Sequence, residues 1–216
     1  MPFYLKTYST VYFIACFVSF FFIDRGDQLM EMTIKVTALL SLSFLYLTVS
    51  KKINYWYLLL LLSSIASDTF LIFEDSFLLF GVLLLLLNRV LYIIISRRAL
   101  KDTDIKTLLF YMVPSFGLFI IFYVLLRPYL EEISSSFLLL GLTSATMILF
   151  SFLNYLNKMN LRNKYFLLGI LLIVVADILI AYNKYLDYNL GYVIVYTSIY
   201  YIARYLICRA MILEKS

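Results

Sequence analysis

Residues 58–73 read LLLLLSSIASDTFLIF, an apolar stretch that holds one acidic residue, Asp68. A second stretch, LLIVVADILIAYNKY at residues 171–185, carries Asp177 in the same kind of setting. Continuous apolar runs without strand-like alternation are typical of helices that cross a lipid bilayer, which takes about 20 residues. The two aspartates therefore raise the question of what an acidic group does inside a membrane.

The composition of the chain excludes an ordinary water-soluble protein. Of its 216 residues, 64% are hydrophobic and 14% are charged, with a mean hydropathy of +0.95, whereas soluble domains are about half apolar and about a quarter charged. The chain has no histidine, and its two cysteines, Cys16 and Cys208, lie inside apolar runs. We therefore expect no metal site, no disulfide framework and no cofactor. The net charge of +5 is scattered over short loops, so we expect a lipid bilayer, and not nucleic acid, as the partner.

The apolar segments predict an all-α polytopic membrane protein, a bundle of eight transmembrane helices forming one integral membrane domain over residues 1–216. The polar breaks between the segments are short, which favours antiparallel neighbours in an up-and-down bundle. The predicted spans are residues 8–23, 32–50, 55–73, 76–96, 107–126, 134–156, 165–182 and 188–212.

Lysine and arginine residues predict the orientation. One side of the predicted bundle carries eleven of them and the other carries three, which places the first side, with both termini, in the cytoplasm of a cell whose plasma or inner membrane holds the protein. The eleven are Lys6, Lys51, Lys52, Arg97, Arg98, Lys101, Lys106, Lys158, Arg162, Lys164 and Lys215, and the three are Arg25, Arg127 and Lys184.

A spacing in the first half of the chain recurs in the second half. An aspartate is followed by a glycine 13 or 14 residues later and by a tyrosine 24 residues later. This repeat predicts two parallel four-helix halves; the alternative is coincidence in a biased composition. The residues are Asp68, Gly81 and Tyr92, and then Asp177, Gly191 and Tyr201.

Five charged residues lie inside the predicted spans: Lys35, Asp68, Arg89, Asp177 and Arg204. A charge at the bilayer centre costs about 2.5–3.5 kcal/mol on insertion scales, so such residues face the bundle interior, pair with each other or serve a function. Counted from the helix ends, the lysine and the aspartates share a level in the outer third of the membrane, and the arginines lie deeper, in the cytoplasmic half.

The shared level of Lys35, Asp68 and Asp177 allows a division of labour. A buried carboxyl group keeps its proton unless a cation is near, so one aspartate can act as an acid while the other, beside the lysine, stays an anion. The alternative is a salt bridge from Lys35 to one aspartate that only fixes packing. For Ser63, Ser64 and Ser67 we favour close helix packing by small residues over a nucleophilic role.

The last predicted span presents a row of hydroxyl groups that ends in a guanidinium. Tyr196 and Tyr200 fall at mid-membrane and predict a polar cavity, because unpaired hydroxyl groups are costly in lipid; the alternative is a belt of interfacial aromatic residues. Arg89 and Arg204 have two interpretations. Each guanidinium either contacts a phosphate or carboxylate or extends (snorkels) toward the cytoplasmic headgroups. The row is Tyr188, Tyr192, Tyr196, Tyr200 and Arg204.

The order of short motifs along nearly the whole chain resembles the YhhN family, whose characterised members are lysoplasmalogenases. Arg89 and Arg204 stand where the family has histidine and glutamine. The matching motifs are IKVTALL with Lys35, SIASD with Ser64 and Asp68, FGVLLLLLNRVLYI with Gly81 and Tyr92, ADILIAYNKY with Asp177 and Ala181, and YYIARYLI with Tyr200, Tyr201 and Ala203.

The resemblance implies hydrolysis of the vinyl-ether bond of a lysophospholipid-like substrate, with Asp68 and Asp177 as the catalytic pair. The rival is a non-catalytic transporter or lipid-binding protein that uses the same charges, and a third possibility is a bundle in which the charges only pair. The oligomeric state stays open. The expected substrate-binding residues are Lys35, Ser64, Asn88, Arg89, Tyr92, Tyr196, Tyr200 and Arg204.

Overall fold

A computed structural model describes residues 3–23, 27–98, 103–130, 134–185 and 188–214. Within these ranges the chain forms eight α-helices and no strand, which confirms the all-α prediction. The helices are α1 (Phe3–Ser19), α2 (Gln28–Val49), α3 (Tyr55–Ile72), α4 (Glu74–Arg98), α5 (Ile105–Leu130), α6 (Ser134–Asn157), α7 (Leu161–Tyr185) and α8 (Leu190–Ile212).

Seven of the described helices, α2 to α8, are long and apolar enough to cross a membrane. The chain is therefore an integral membrane protein. The prediction of eight spans holds for seven, because α1 has only 17 residues and ends at Ser19, before the predicted boundary at residue 23. Of the basic residues that predict the orientation, Arg25, Lys101 and Lys215 lie outside the described residues, and the orientation itself stays a prediction.

The polar breaks of the sequence act as helix caps, because the first N–H groups of a helix have no partner within it. Asp27 Oδ1 accepts from Met30 N at 3.1 Å, and Asn54 Oδ1 accepts from Trp56 N at 3.1 Å. Asn160 Oδ1 accepts from Asn163 N at 2.8 Å, which starts α7 four residues before the predicted boundary.

The predicted loop between the third and fourth spans is shorter than expected. Only Phe73 separates α3 from α4, and Glu74 already belongs to α4. The irregularity lies further along, at Phe77, whose backbone angles (φ −133°, ψ 15°) break the helical pattern inside α4. A connection this short forces α3 and α4 to run antiparallel as neighbours.

By its internal contacts the chain divides into two compact units, Met1–Leu91 with Ile207–Ser216, and Tyr92–Leu206. We call them unit 1 and unit 2. The single integral membrane domain stays a prediction. In unit 1, α1 packs on α2 and α2 on α3; in unit 2, α5 packs on α6 and α6 on α7. The repeat of two four-helix halves stays a prediction.

The core of unit 1 includes a tyrosine pair at the α2–α3 connection. The rings of Tyr46 and Tyr57 meet edge to face with 4.8 Å between their centroids. The Tyr46 hydroxyl accepts from Asn54 N at 2.6 Å. Asn54 Nδ2 in turn donates to Glu214 Oε2 at 3.2 Å, so the residues that follow α8 are tied to the start of α3.

Candidate functional site

The third helix places the first catalytic candidate among small side chains. Ser63, Ser64 and Ser67 are 6%, 4% and 0% exposed, and Asp68 is partly exposed. Because residues four apart share a helix face, Ser63 and Ser67 lie on one face and Ser64 and Asp68 on an adjacent face. Asp68 therefore borders a buried serine surface without being enclosed by it.

The serine face of α3 meets α4. Ser63 Oγ lies 2.5 Å from Asn88 Oδ1, and a Cβ added to Gly81 would lie 2.7 Å from Leu71 Cδ2. Glycine allows this close approach of the two helices, since any side chain would press on Leu71. Ser63 thus serves helix packing and holds the Asn88 side chain.

The arginines of the predicted site are enclosed. Arg89 is 3% exposed and Arg204 is 5% exposed. A snorkelling arginine would keep its guanidinium in contact with the headgroups, so this degree of burial favours interior contacts. Arg204 Cζ lies 4.3 Å from the ring centroid of Tyr200, one turn earlier on α8, in a cation–π contact.

Lys35 has a partner that the sequence analysis did not consider. Its Nζ lies 2.5 Å from Glu31 Oε1 on the same helix, and both side chains are about one-fifth exposed, at 22% and 20%. The spacing of four residues is the one that brings opposite charges together on a helix surface. The sequence pattern could therefore have predicted this pair.

Asp177 sits on α7 in unit 2 and is partly exposed, directly after the fully buried Ala176. On α8, Tyr196 and Tyr200 are half-buried and Tyr201 is 6% exposed, whereas Tyr188, just before the helix, is 64% exposed. The exposure of Tyr188 suits an interfacial residue. The polar cavity beside Tyr196 and Tyr200 stays a prediction.

The predicted site residues fall into both units. The convergence of Asp68 and Asp177 in one cavity therefore stays a prediction. Within the described ranges no group of three or more Cys, Asp or Glu side chains has the arrangement of a metal site. Unit 1 holds Lys35, Ser64, Asp68, Asn88 and Arg89; unit 2 holds Tyr92, Asp177, Tyr196, Tyr200 and Arg204.

An asparagine cluster at the α6–α7 connection was missed by the sequence analysis. Asn163 Nδ2 donates to Asn154 O and to Lys158 O, each at 2.9 Å, and Asn154 Nδ2 donates to Ser96 O at 2.6 Å. Both asparagines are almost fully buried, at 6% and 5% exposure. The amide side chains thus stabilise the end of α6, the start of α7 and the end of α4. The signal in the sequence was the asparagine-rich stretch NYLNKMNLRN at residues 154–163.

Comparison with known protein families settles the family. The model of the YhhN family matches residues 30–211, most of the chain. The chain belongs to the YhhN family. The matched region contains every residue of the predicted site and nearly all of the seven spans α2 to α8, whereas α1 lies wholly before it. No curated protein and no solved structure gave a significant match.

Proposed function

We propose that the protein is a membrane-embedded lysoplasmalogenase, which hydrolyses the vinyl-ether bond of a lysophospholipid. The observation that carries the proposal is the family match over residues 30–211, which includes Asp68 and Asp177. Both aspartates occupy helices apolar enough to span a membrane, where acidic residues are rare and mark function. A lipid substrate also suits a site on helices that can lie within a bilayer.

The chemistry needs one proton donor and one anion. In the proposed reaction one aspartate, in its protonated form, transfers a proton to the β-carbon of the vinyl ether, leaving an oxocarbenium ion. The other, ionised, stabilises the cation and accepts a proton from the attacking water. The hemiacetal that forms then breaks its bond to the glycerol oxygen, which takes up a proton. The products are a fatty aldehyde and a glycerophospho-base, and the sum is one substrate plus one water.

Cationic side chains are the natural partners of the lipid phosphate. Arg89 and Arg204 offer rigid, buried guanidinium groups, and Lys35 offers an ammonium that Glu31 already neutralises in part. A guanidinium donates two parallel hydrogen bonds to a phosphate. We therefore assign the phosphate first to the arginines and only second to Lys35.

The test is direct. The purified protein in liposomes should release a long-chain aldehyde from lysoplasmalogen, and none from the matched lysophospholipid whose ether chain is saturated, because that chain has no vinyl carbon to protonate. If no lysoplasmalogen yields aldehyde, the hydrolase proposal fails.

A second candidate function, lipid binding or transport, is favoured by the burial of Arg89 and Arg204 in spanning helices. Such charges can line a path for an anionic headgroup. Protein-dependent movement of a fluorescent lysophospholipid across liposomes, without cleavage, would support this function over hydrolysis.

A further inference from the structure

Among the buried polar atoms of unit 1 that lack a hydrogen-bond partner in the described residues are Ser67 Oγ on α3 and Asn88 Nδ2 on α4. The side chains are 0% and 3% exposed. Neither can reach bulk water, and a polar group left unpaired in an apolar interior is costly. A pair of such groups on two packed helices points to a bound molecule that supplies the missing hydrogen bonds.

The hydroxyl of Ser67 differs from those of three other buried helical serines. Ser41, Ser96 and Ser151 each donate to the carbonyl four residues earlier, at 2.7–2.8 Å. That bond satisfies a serine inside a membrane helix without outside help. Within the described part of the chain the Ser67 hydroxyl makes no bond of this kind.

The amide of Asn88 is held in place by Ser63. The Ser63 hydroxyl lies 2.5 Å from Asn88 Oδ1 and 3.1 Å from Leu60 O. The Ser63 hydroxyl has one proton, so it donates to only one of these two acceptors. If it donates to Leu60 O, the Asn88 amide is flipped, and its nitrogen donates to the Ser63 oxygen. In either orientation the other amide atom of Asn88 faces away from Ser63 and has no hydrogen-bond partner among the described residues.

The register of the two helices places both groups on the facing surfaces. Ser63 meets Asn88 and Leu71 meets Gly81, so Ser67 lies between these contacts on the α4-facing side of α3. The residues of α4 between Gly81 and Asn88 are leucine and valine, which offer no hydrogen bond. The close approach at Gly81 keeps the space between the helices narrow, which favours a ligand with one heavy atom.

We propose that Ser67 and Asn88 bind a water molecule between α3 and α4, with Ser63 as the positioning residue for the Asn88 amide. Water is both donor and acceptor, and it satisfies either orientation of the amide. Ser67 directly precedes Asp68 in the chain. If the proposed hydrolysis is correct, on which this further step rests, the bound water is the one that adds to the oxocarbenium carbon and gives its proton to the ionised aspartate.

The water site is tested by thermal unfolding of Ser67→Ala in detergent, with Ser41→Ala as the matched control. Both substitutions remove a buried helical hydroxyl and gain the same helix propensity. Removal of a hydroxyl that binds water also removes a favourable interaction from the folded protein. We therefore expect the Tm of Ser67→Ala to fall about 2–4 °C below that of the control. An equal or higher Tm would mean that the hydroxyl was unpaired, and would overturn the site.

The second substitution tests the link to Asn88. In an Asn88→Leu background, Ser67→Ala should shift the Tm by less than it does alone, because the water has already lost one of its partners. Full additivity would overturn the shared water. Should Asn88→Leu not fold, Ser63→Ala, which frees the amide, replaces it in the same cycle.

The role in the reaction has its own readout. Ser67→Ala should lower kcat for aldehyde release by about 10- to 100-fold and leave KM nearly unchanged, because the hydroxyl positions the water and does not touch the lipid. An unchanged kcat would remove the reaction role. If the wild-type protein releases no aldehyde, the proposed function fails, and the unfolding comparison still decides the water site.

Discussion

Lys35 and Glu31 form an ion pair on one face of α2, with 2.5 Å between Nζ and Oε1. Lys35 thus has an acidic partner on its own helix, within one turn. A pair that is about one-fifth exposed at each side chain (22% and 20%) is partly screened by its surroundings. Because the Glu31 carboxylate lies next to the Lys35 ammonium, it weakens the attraction of Lys35 for a substrate phosphate or an aspartate.

The pair predicts opposite effects of its two members on substrate binding. Lys35→Met should raise KM for a lysophospholipid by about tenfold if the ammonium contacts the phosphate. Glu31→Gln should lower KM, because it releases the ammonium from its neighbour. Steady-state kinetics at fixed liposome composition measures both. Equal KM values for wild type and Lys35→Met would exclude the lysine from the substrate site.

The orientation of the chain gives a prediction about α1. We expect both termini in the cytoplasm, which requires α1 to cross the membrane although it has only 17 residues, about the shortest length that can span. Epitope tags at residues 1 and 216 should then be accessible from the same side, and a tag inserted after residue 187 from the other. Tags at the two termini that label from opposite sides would show that α1 does not cross.

Much of the fold was visible in the sequence because a bilayer restricts the choices. Within the described ranges every predicted span has a helix, and asparagine or aspartate caps lie at the polar breaks before α2, α3 and α7. The boundaries were less accurate, since hydropathy does not register the polar turns that extend a helix past the hydrocarbon. Thus α7 begins at Leu161, whereas the apolar run begins near residue 165.

The close approach of α3 and α4 at Gly81 predicts a difference between two identical substitutions. Gly117→Ala on α5 meets nothing within 4 Å, so it should raise the Tm through helix propensity, by about 2–4 °C. Gly81→Ala places its Cβ 2.7 Å from Leu71 Cδ2 and 3.4 Å from Leu71 N. The steric clash with Leu71 should cancel the stabilisation from helix propensity, so the Tm should not rise. Equal Tm increases for the two variants would contradict the packing at Gly81.

The candidate site was harder to predict than the fold, because side-chain pairing depends on helix rotation and register. Hydropathy placed Lys35 and Asp68 at one depth, but only the spacing of four residues, which hydropathy does not use, indicates that Glu31 pairs with the lysine. The asparagine cluster around Asn163 escaped for a similar reason, since its bonds run to backbone carbonyls of other segments. The aspartates were found because a carboxylate in an apolar span is conspicuous at any rotation.

The cluster at the α6–α7 connection predicts a stability effect that is independent of catalysis. Asn163→Ala removes both hydrogen bonds to Asn154 O and Lys158 O and should lower the Tm by about 4–8 °C. Asn157→Ala, in the same connection, loses an exposed bond to Thr103 Oγ1 and should change the Tm little. Differential scanning fluorimetry measures the Tm of both variants. Equal decreases in Tm would show that the buried hydrogen bonds of Asn163 do not stabilise the connection more than the exposed bond of Asn157.

The two aspartates proposed to be catalytic give the most informative prediction. Asp68→Asn and Asp177→Asn should each reduce aldehyde release by about 10²- to 10⁴-fold, because asparagine can neither donate a carboxyl proton nor carry a full negative charge. Asparagine keeps the size and polarity of the side chain, so the Tm should change little. The double variant should be hardly slower than either single variant, since groups that act in one step are not additive.

The matched control for this pair is Asp104→Asn. Asp104 is an exposed acidic residue just before α5, outside the predicted site, so its substitution should leave aldehyde release unchanged. If only one of Asp68→Asn and Asp177→Asn were inactive, the reaction would need a single carboxyl group, and the two-carboxylate mechanism would be replaced. If both singles were partly active and the double showed the product of their losses, the aspartates would act at separate places, and a shared site would be excluded.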